Sequence, residues 1–556
     1  MSKPKPIPPA TLQWDSQARL LLWLASVVSV IAFLSYFQRG ETLLYGDAVA
    51  HINIARRVFD SKTPGLLQLG TVWLPLPHLL MIPFLLSTKL WQTGAGGSIP
   101  SLAAYMLAVV GIFRLLRVSL ASRPDEKSSF AAWVGTVVFA ANPNLIYMQS
   151  TAMGEALYLA LFIWGLVYLR EWRNGEPKAL TKCGICIAAA CLTRYDGWFL
   201  GTAMVATALL LSFLRKSDGS SRNPANQNLV NFVLIAASAP LLWLAYNAVV
   251  YRNPLEFENG PYSAKAIEQR TQSTGNPGHP GAGNLIVASQ YFLKAAEENM
   301  AQNLWMQRLW LILGGLGLIA ILAAPKWKSV PDTSASSDRL LSLLFLLVPL
   351  PFYSLSISYG GVPIFVPAFW PYTHYNVRYG LQLLPAFAAL VAVLAFFLLD
   401  FKQWNLRLRS SLLAVLLAVV ASSYISVWHA TPICLEEAQI NMRTRNQLEK
   451  QLASWLEKLP SGATLLMYLG DHVGALEQAG IPLSHTINEG NHRVWMRPAD
   501  PDGLWERALS NPAKYADFVI AFEGDPVWQA LQGKHLQELV EIHVTGQARA
   551  VVYRAR

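Results

Sequence analysis

The chain alternates long apolar runs with short polar ones. The first, LLLWLASVVSVIAFLSYF (20–37), is followed by runs near 74–90, 101–117, 129–146, 156–170, 183–194, 197–214, 229–250, 304–323, 340–357, 379–400 and 411–428. A helix needs ~20 predominantly apolar residues to cross the hydrocarbon of a bilayer, so this pattern predicts a bundle of membrane-spanning helices. The 74–90 run differs, because Pro75, Pro77 and Pro83 interrupt it and free backbone groups that lipid cannot satisfy. It predicts a re-entrant or interfacial helix. Beyond residue 430 the pattern changes. Helical periodicity at 443–458, 502–509 and 526–532 alternates with strand-like ATLLMYL (463–469), DFVIAF (517–522), VEIHV and ARAVVYR, which predicts a small α/β domain. Gly470-Asp471 after the first of these strands opens no Gly-x-Gly-x-x-Gly motif and is assigned no chemistry.

Composition agrees with a multi-spanning membrane protein: 53% of residues are hydrophobic, 14% are charged and 19 are Trp. The net charge of +10 would suggest nucleic acid in a soluble protein. Here Lys and Arg fall in short clusters between apolar runs, where they set topology, and nucleic-acid binding is excluded. The clusters are Arg114, Arg117, Arg123 and Lys127; Arg170, Arg173, Lys178 and Lys182; Arg215, Lys216 and Arg222; Lys326 and Lys328; and Lys402, Arg407 and Arg409. All five lie on the cytoplasmic side if 74–90 does not cross, which leaves about eleven spans.

Asp47, Glu155, the 251–302 and 359–378 loops and the C-terminal region then share the outer side. Lys3, Lys5 and Arg19 precede the first run and no small-x-small site follows it, so that run is a retained span rather than a signal peptide. The expected organisation is a cytoplasmic 1–19, a transmembrane domain over 20–429 and an extracytoplasmic domain over 430–556. A first outer loop covers 38–100 and a long Gly/Pro-rich one covers 251–302, as a lid or a mobile segment. Four Cys (183, 186, 191 and 434) form no disulfide framework, and Cys183-x-x-Cys186, inside an apolar segment, reads as helix packing.

The polar stretch 43–78 organises the rest, with Asp47 at its centre. As a carboxylate just beyond a span, Asp47 is a chemical group or a helix N-cap. His51, one turn on, shares its helix face. Arg56, Arg57 and His78 lie in the same stretch. Glu155 heads an apolar helix after Asn142-Pro143, as a second outer carboxylate or a helix-dipole partner. Arg194-Tyr195-Asp196 interrupts two apolar halves, either paired internally or facing a cavity. His374, Asn376 and Arg378 precede the 379–400 run. Arg378 falls on the outer side against the positive-inside bias, so it needs an anionic partner: a lipid head group, a protein carboxylate or a substrate phosphate.

Several of these segments are familiar together. The Gly-Asp pair with its nearby His, the Pro-x-Pro-His-Leu-Leu run and Ser-Thr-Ala-Met-x-Glu resemble the GT-C class of integral-membrane glycosyltransferases. So do Leu-Thr-Arg-Tyr-Asp-Gly-Trp and Asn-Val-Arg-Tyr-Gly-x-x-Leu-Leu-Pro. The protein-mannosyltransferase and aminoarabinose-transferase branch is most similar, over roughly residues 20–400. The resemblance implies a mainly α, polytopic GT-C-like bundle with a small C-terminal α/β extracytoplasmic domain. It implies a polyprenyl-phosphate sugar donor, a lipid, glycan or protein acceptor, and inverting transfer at the outer face of a bacterial inner membrane, among membrane lipids. Asp47 matches the acidic residue of the first outer loop, the base or acceptor-orienting carboxylate, and Glu155 the second acidic position. Two departures stand out. The mannosyltransferases carry Asp-Glu where this chain has Asp47-Ala48, and the basic residue and double proline of the aminoarabinose branch are here Leu74-Pro75-Leu76-Pro77-His78.

The residue types suit that chemistry on their own terms. A carboxylate within about 3 Å of an acceptor hydroxyl takes its proton as the glycosidic bond forms. A lipid phosphate leaves as an anion, so no second acid is needed, but its growing charge needs a fixed cation. Arg378 is the first candidate, with Arg56 or Arg57 sharing the task. Arg194, Asp196, His51, His78, His374 and Asn376 complete the expected substrate-binding set. Asp47 and Glu155 together would also suit a hard divalent cation, Mg or Mn. Two other classes fit the same outer-face ionisable residues: a transporter or flippase for a lipid-linked sugar, and a non-catalytic component of an envelope-assembly complex.

Overall fold

The computed structural model describes residues 15–556 except 122–124, 218–224, 262, 267–268, 270–277, 324–341, 402–403, 471 and 492–501. Lys3, Lys5, Arg123, Arg222, Lys326, Lys328, Lys402 and Asp471, with part of the 274–284 Gly/Pro stretch, therefore lie outside the described residues.

Helix α1 (Ser16–Gln38) starts at Asp15, whose carboxylate accepts from the Ala18 amide at 2.9 Å, the usual satisfaction of an orphan first-turn N–H. There follow α2 (Gly46–Arg57), α3 (Leu76–Leu85), α4 (Ala95–Leu120), α5 (Glu126–Ala140), α6 (Glu155–Arg173), α7 (Pro177–Cys191), α8 (Asp196–Ser217) and α9 (Ala225–Val250). After the 251–284 segment come α10 (Leu285–Met300), α11 (Leu304–Ala323), α12 (Pro349–Ser358), α13 (Leu384–Asp400), α14 (Leu406–His429) and α15 (Ile433–Leu456).

Among the described residues, seven helices are long and apolar enough to cross a membrane. Two of them are central: the apolar window of Ala95–Leu120 is 61% buried, and that of Val377–Asp400 78%. Ser16–Gln38 and Gln227–Val250 are only 22% buried. Their exposed Trp23, Ile31, Leu242 and Val249 form an outward apolar belt that only lipid covers at low cost. With ten residues, α3 spans about 15 Å, half the hydrocarbon thickness. It is too short to cross. Two expected single runs are each divided in two at a proline: 340–357 becomes a 3-10 turn (Ser342–Leu347) and α12, and 379–400 a 3-10 turn (Val377–Leu383) and α13.

The bundle has two chemically different ends. At one, Arg117 pairs with Asp15, Arg114 with Glu171 at 3.3 Å and Lys127 with Asp400 at 2.9 Å. Arg409 caps the carbonyl of Leu399 at 3.0 Å. The other end, about 35 Å away along helices of this length, carries the C-terminus of α1 and the N-termini of α4, α6 and α13, and there α14 hands over to α15. Cys183 and Cys186 are unpaired thiols of α7, Cys183 fully buried among apolar neighbours.

The C-terminal domain holds a five-stranded sheet in the order β2-β1-β3-β5-β4. Its strands are β1 (Leu465–Met467), β2 (Thr486–Ile487), β3 (Phe518–Phe522), β4 (Gln537–Ile542) and β5 (Ala550–Arg554). β1 is parallel to β2 and β3, whereas β5 runs antiparallel to β3 and β4. Period-2 alternation divides β3 between two cores: Val519 and Ala521 join Trp505 and Ile487, while Phe518, Ile520 and Phe522 join the main core with Leu448 and Leu452 of α15.

Candidate active site

Asp47 sits in the first turn of α2, but the N-cap is Tyr45 and no side chain caps the helix. The carboxylate is turned instead to Arg378, 2.5 Å away. Arg378 is held from three sides: Nη2 donates to Asp47, Nε to Glu155 at 3.2 Å and Nη1 to Glu437 at 3.1 Å. Its guanidinium also lies over the rings of Tyr45 and Tyr379, each 4.9 Å away. Glu437, fully buried on α15, accepts in addition from the backbone amides of Asn376 and Val377 at 3.1 and 2.7 Å. That contact fixes the turn carrying Arg378.

A second guanidinium completes the network. Arg194 donates to the same Glu155 oxygen at 3.2 Å, to Asp196 at 3.4 Å and to the Tyr353 hydroxyl at 2.9 Å. That hydroxyl donates onward to Asp196, also at 2.9 Å. The Tyr379 ring lies between both arginines, 4.5 Å from Arg194. Four carboxylates thus share two guanidinium groups, in a place too buried for solvent to screen them. Glu155 is 1% exposed and its Oε2 has no hydrogen-bond partner. Asp47 is the exception, with a side chain 38% exposed.

Asp47, Glu155, Arg194, Asp196, Tyr353, Arg378 and Tyr379 line an open cleft of about 680 Å³ together with His51, Trp73, Leu74, Tyr195 and Phe352. His51 presses edge-on against Trp73 and places Nδ1 2.8 Å from Nε2 of the fully buried His78. Burial, reinforced by Arg378 and Arg194 and opposed by Asp47 and Glu155, lowers its pKa and keeps its ring neutral.

The structure therefore brings Asp47, Glu155, Arg194, Asp196, Arg378 and His51 together, with His78 directly behind. It does not bring the other expected residues to the cleft. Arg56 is buried against Asp60 at 2.8 Å, the Leu85 carbonyl and the rings of Phe59 and Trp91. Arg57 faces Glu489 at 3.7 Å. His374 turns to Glu436, 3.8 Å away, and the Asn376 amide donates to the Pro363 carbonyl. Helical phase explains the first two: positions 47 and 51 share a face, and 56 and 57 point elsewhere. Two members were not expected at all. Glu437 lies past the last span in a stretch that reads as soluble helix, and Tyr353 lies inside an apolar run.

Two glycines explain how these elements come so close. A methyl group on Gly46 would collide with the guanidinium of Arg445, which reaches from α15 to the Leu44 carbonyl. One on Gly380 would overlap the backbone of Ala295 and Ala296 in α10. Gly380 is thus a packing requirement, set by backbone, whereas at Gly46 the collision is with the movable end of a long side chain.

The carboxylates do not suit a divalent cation. Glu155 Oε1 already receives two guanidinium groups and Asp47 one, and among the described residues no three His, Cys, Asp or Glu side chains are grouped to hold a metal. A cation between Asp47 and Glu155 would have to displace Arg378.

By architecture the chain is a polytopic helical membrane protein of GT-C-like fold with a small α/β domain. It is similar in fold to ArnT from Cupriavidus metallidurans, solved in the apo state (TM-score 0.55, 14% identity, 97% of this chain and 99% of that one). The same ArnT bound to undecaprenyl phosphate superposes with a TM-score of 0.54 at 14% identity, over 97% and 98% of the two chains. The Archaeoglobus fulgidus oligosaccharyltransferase in its apo form is more distant (TM-score 0.46, 12% identity, 98% of this chain and 75% of that one). No family model and no curated protein sequence matches the chain.

Proposed function

We propose that this protein is an inverting glycosyltransferase that moves a monosaccharide from a polyprenyl-phosphate donor to an acceptor hydroxyl, with Asp47 as the base. The observation that carries the reading is the state of Asp47. One oxygen is tethered to Arg378 while the side chain stays open to a cleft lined by a second carboxylate and a second arginine. A similar fold in ArnT, crystallised with undecaprenyl phosphate, supports a lipid-phosphate donor.

In this reading Asp47 takes the acceptor's proton as its oxygen attacks the anomeric carbon and the lipid phosphate departs. The tether to Arg378 fixes the carboxylate in place. Arg378 itself is only 5% exposed and engaged by three carboxylates, whereas Arg194 is 16% exposed. Arg194 is therefore the better placed cation for the leaving phosphate, and Arg378 positions the base. Glu155 holds both guanidinium groups beside Asp47. No step runs through a metal ion. The basic side chains at the opposite end of the bundle favour a cleft on the outer face of a bacterial inner membrane.

The test is incubation of purified protein in lipid with a panel of labelled polyprenyl-phosphate monosaccharides, following donor consumption and the anomeric configuration of the product. Consumption with inversion is expected. Flux of intact donor across vesicles without bond formation would replace this reading with transport.

A further inference from the structure

The His51–His78 pair carries information about where a proton sits. His51 Nδ1 and His78 Nε2 are 2.8 Å apart, so one hydrogen lies between them. His78 is wholly buried and its Nδ1 has no hydrogen-bond partner among the described residues. If that hydrogen belonged to His51, the proton of His78 would sit on Nδ1 as a buried N–H with nothing to receive it, which proteins rarely tolerate. The alternative leaves Nδ1 with only an unpaired lone pair. His78 then donates from Nε2 to His51 Nδ1, and His51 must carry its own proton on Nε2. Nδ1 of His51 is turned to His78, so Nε2 is its remaining ring nitrogen for the cleft that His51 lines.

We infer that His78 fixes His51 as a neutral Nε2–H donor aimed at an oxygen of the bound polyprenyl-phosphate sugar. Resting on the glycosyltransferase reading, this divides labour on one face of α2. Asp47 can only accept a hydrogen and His51, one turn away, can only give one. His51 therefore does not compete for the acceptor's proton. It holds the oxygen next to the reacting one, either a phosphate oxygen or a sugar hydroxyl. His78 is a positioning residue with no contact of its own to substrate.

The first readout needs no activity: ¹⁵N-histidine NMR of the protein in nanodiscs, with His51 assigned by its loss in His51→Gln. The expected signature is Nε2–H in the wild type, a mixture of tautomers in His78→Leu, and Nε2–H restored in His78→Gln, whose amide N–H still reaches Nδ1. An Nδ1–H signature in the wild type overturns the inference whatever the protein turns over. In the transfer assay, turnover should fall about tenfold in His78→Leu, the worth of one hydrogen bond, and recover in His78→Gln. Equal losses in both would mark His78 as packing only and contradict the inference. Binding of undecaprenyl phosphate that weakens in His51→Phe assigns the held oxygen to the phosphate; unchanged binding with weaker binding of the sugar-bearing donor assigns it to a hydroxyl. If neither ligand binds more weakly to His51→Phe, the donor role is refuted.

Discussion

The two faces of α2 are built on opposite principles. On one, Asp47 and His51 look into the cleft, and each keeps a hydrogen-bonding position free of partners among the described residues. The other is tied to the C-terminal domain. Asn53 donates to Glu477 at 2.7 Å and accepts from Trp91 at 3.0 Å. Asp60, just past the helix, takes Arg56 together with the backbone amides of Leu483 and Ser484 at 3.3 and 2.9 Å. Downstream, Gln68 donates to the Gly490 carbonyl at 2.8 Å, and Asn491 to Ser61 and Thr63 at 3.2 and 2.9 Å. Residues 488–491 follow β2, at the carboxyl edge of the parallel strands, the place where open α/β sheets usually hold ligands. Here that edge holds the 61–68 loop. In the proposed reading the open face does chemistry because the bonded one keeps it still, and the C-terminal domain supplies both the socket and Glu437.

The contrast is sharpest at the arginine that joins the two sides. Arg378→Ala would leave Glu437 as a buried carboxylate without its cation and Glu155 with Arg194 alone, a loss of about 3–5 kcal/mol. Denaturant titration in mixed micelles should show it, with transfer abolished; unaltered stability would mean that the network is dispensable. Glu437→Gln should cost about 1.5–3 kcal/mol, because an amide offers one acceptor where two backbone amides and a guanidinium need two. Transfer should fall with it, although residue 437 does not line the cleft. On the bonded face, Asp60→Asn should lower stability by about 1–3 kcal/mol and expose the 57–68 segment to limited proteolysis, while transfer falls less than in either network variant.

The smallest effect is in pH. Burial raises the pKa of Glu477 well above its ordinary 4.5, so between those two values the folded protein binds a proton that the unfolded chain has released. Stability then falls as pH rises from about 4.5 towards the folded value. Glu477→Gln should flatten that slope in unfolding midpoints taken from pH 5 to 8; an unchanged slope would place the titration elsewhere.

How much of this was legible follows from what each residue has to be near. Asp47, Glu155, Arg194, Asp196 and Arg378 stand out because ionisable residues beside membrane spans are rare and costly in a chain with so few charges. Their sequence neighbours give the sign and depth of each. Glu437 offers no such contrast: it follows Glu436, which is half-buried, in a stretch whose periodicity fits any amphipathic helix. Pro432, starting a helix directly after a span, was the one available hint. Arg56, Arg57, His374 and Asn376 failed for a different reason. Residue type says that a side chain wants a partner, and only the fold says which side it faces. The socket partners of α2 lie more than 400 residues away in the chain, and β2, with two residues, is too short for period-2 alternation to show.

The central claim is that Asp47, and no other cleft carboxylate, takes the acceptor's proton. Its most direct test is single-turnover consumption of a labelled polyprenyl-phosphate sugar by Asp47→Asn against wild type, with both proteins shown folded by size exclusion and by binding of the unglycosylated lipid phosphate. The asparagine variant keeps the shape of the side chain but cannot accept a proton, and a loss of about 10²–10⁴-fold is expected with lipid-phosphate binding retained. Donor consumption within a few-fold of wild type would contradict the account and move the base to another residue.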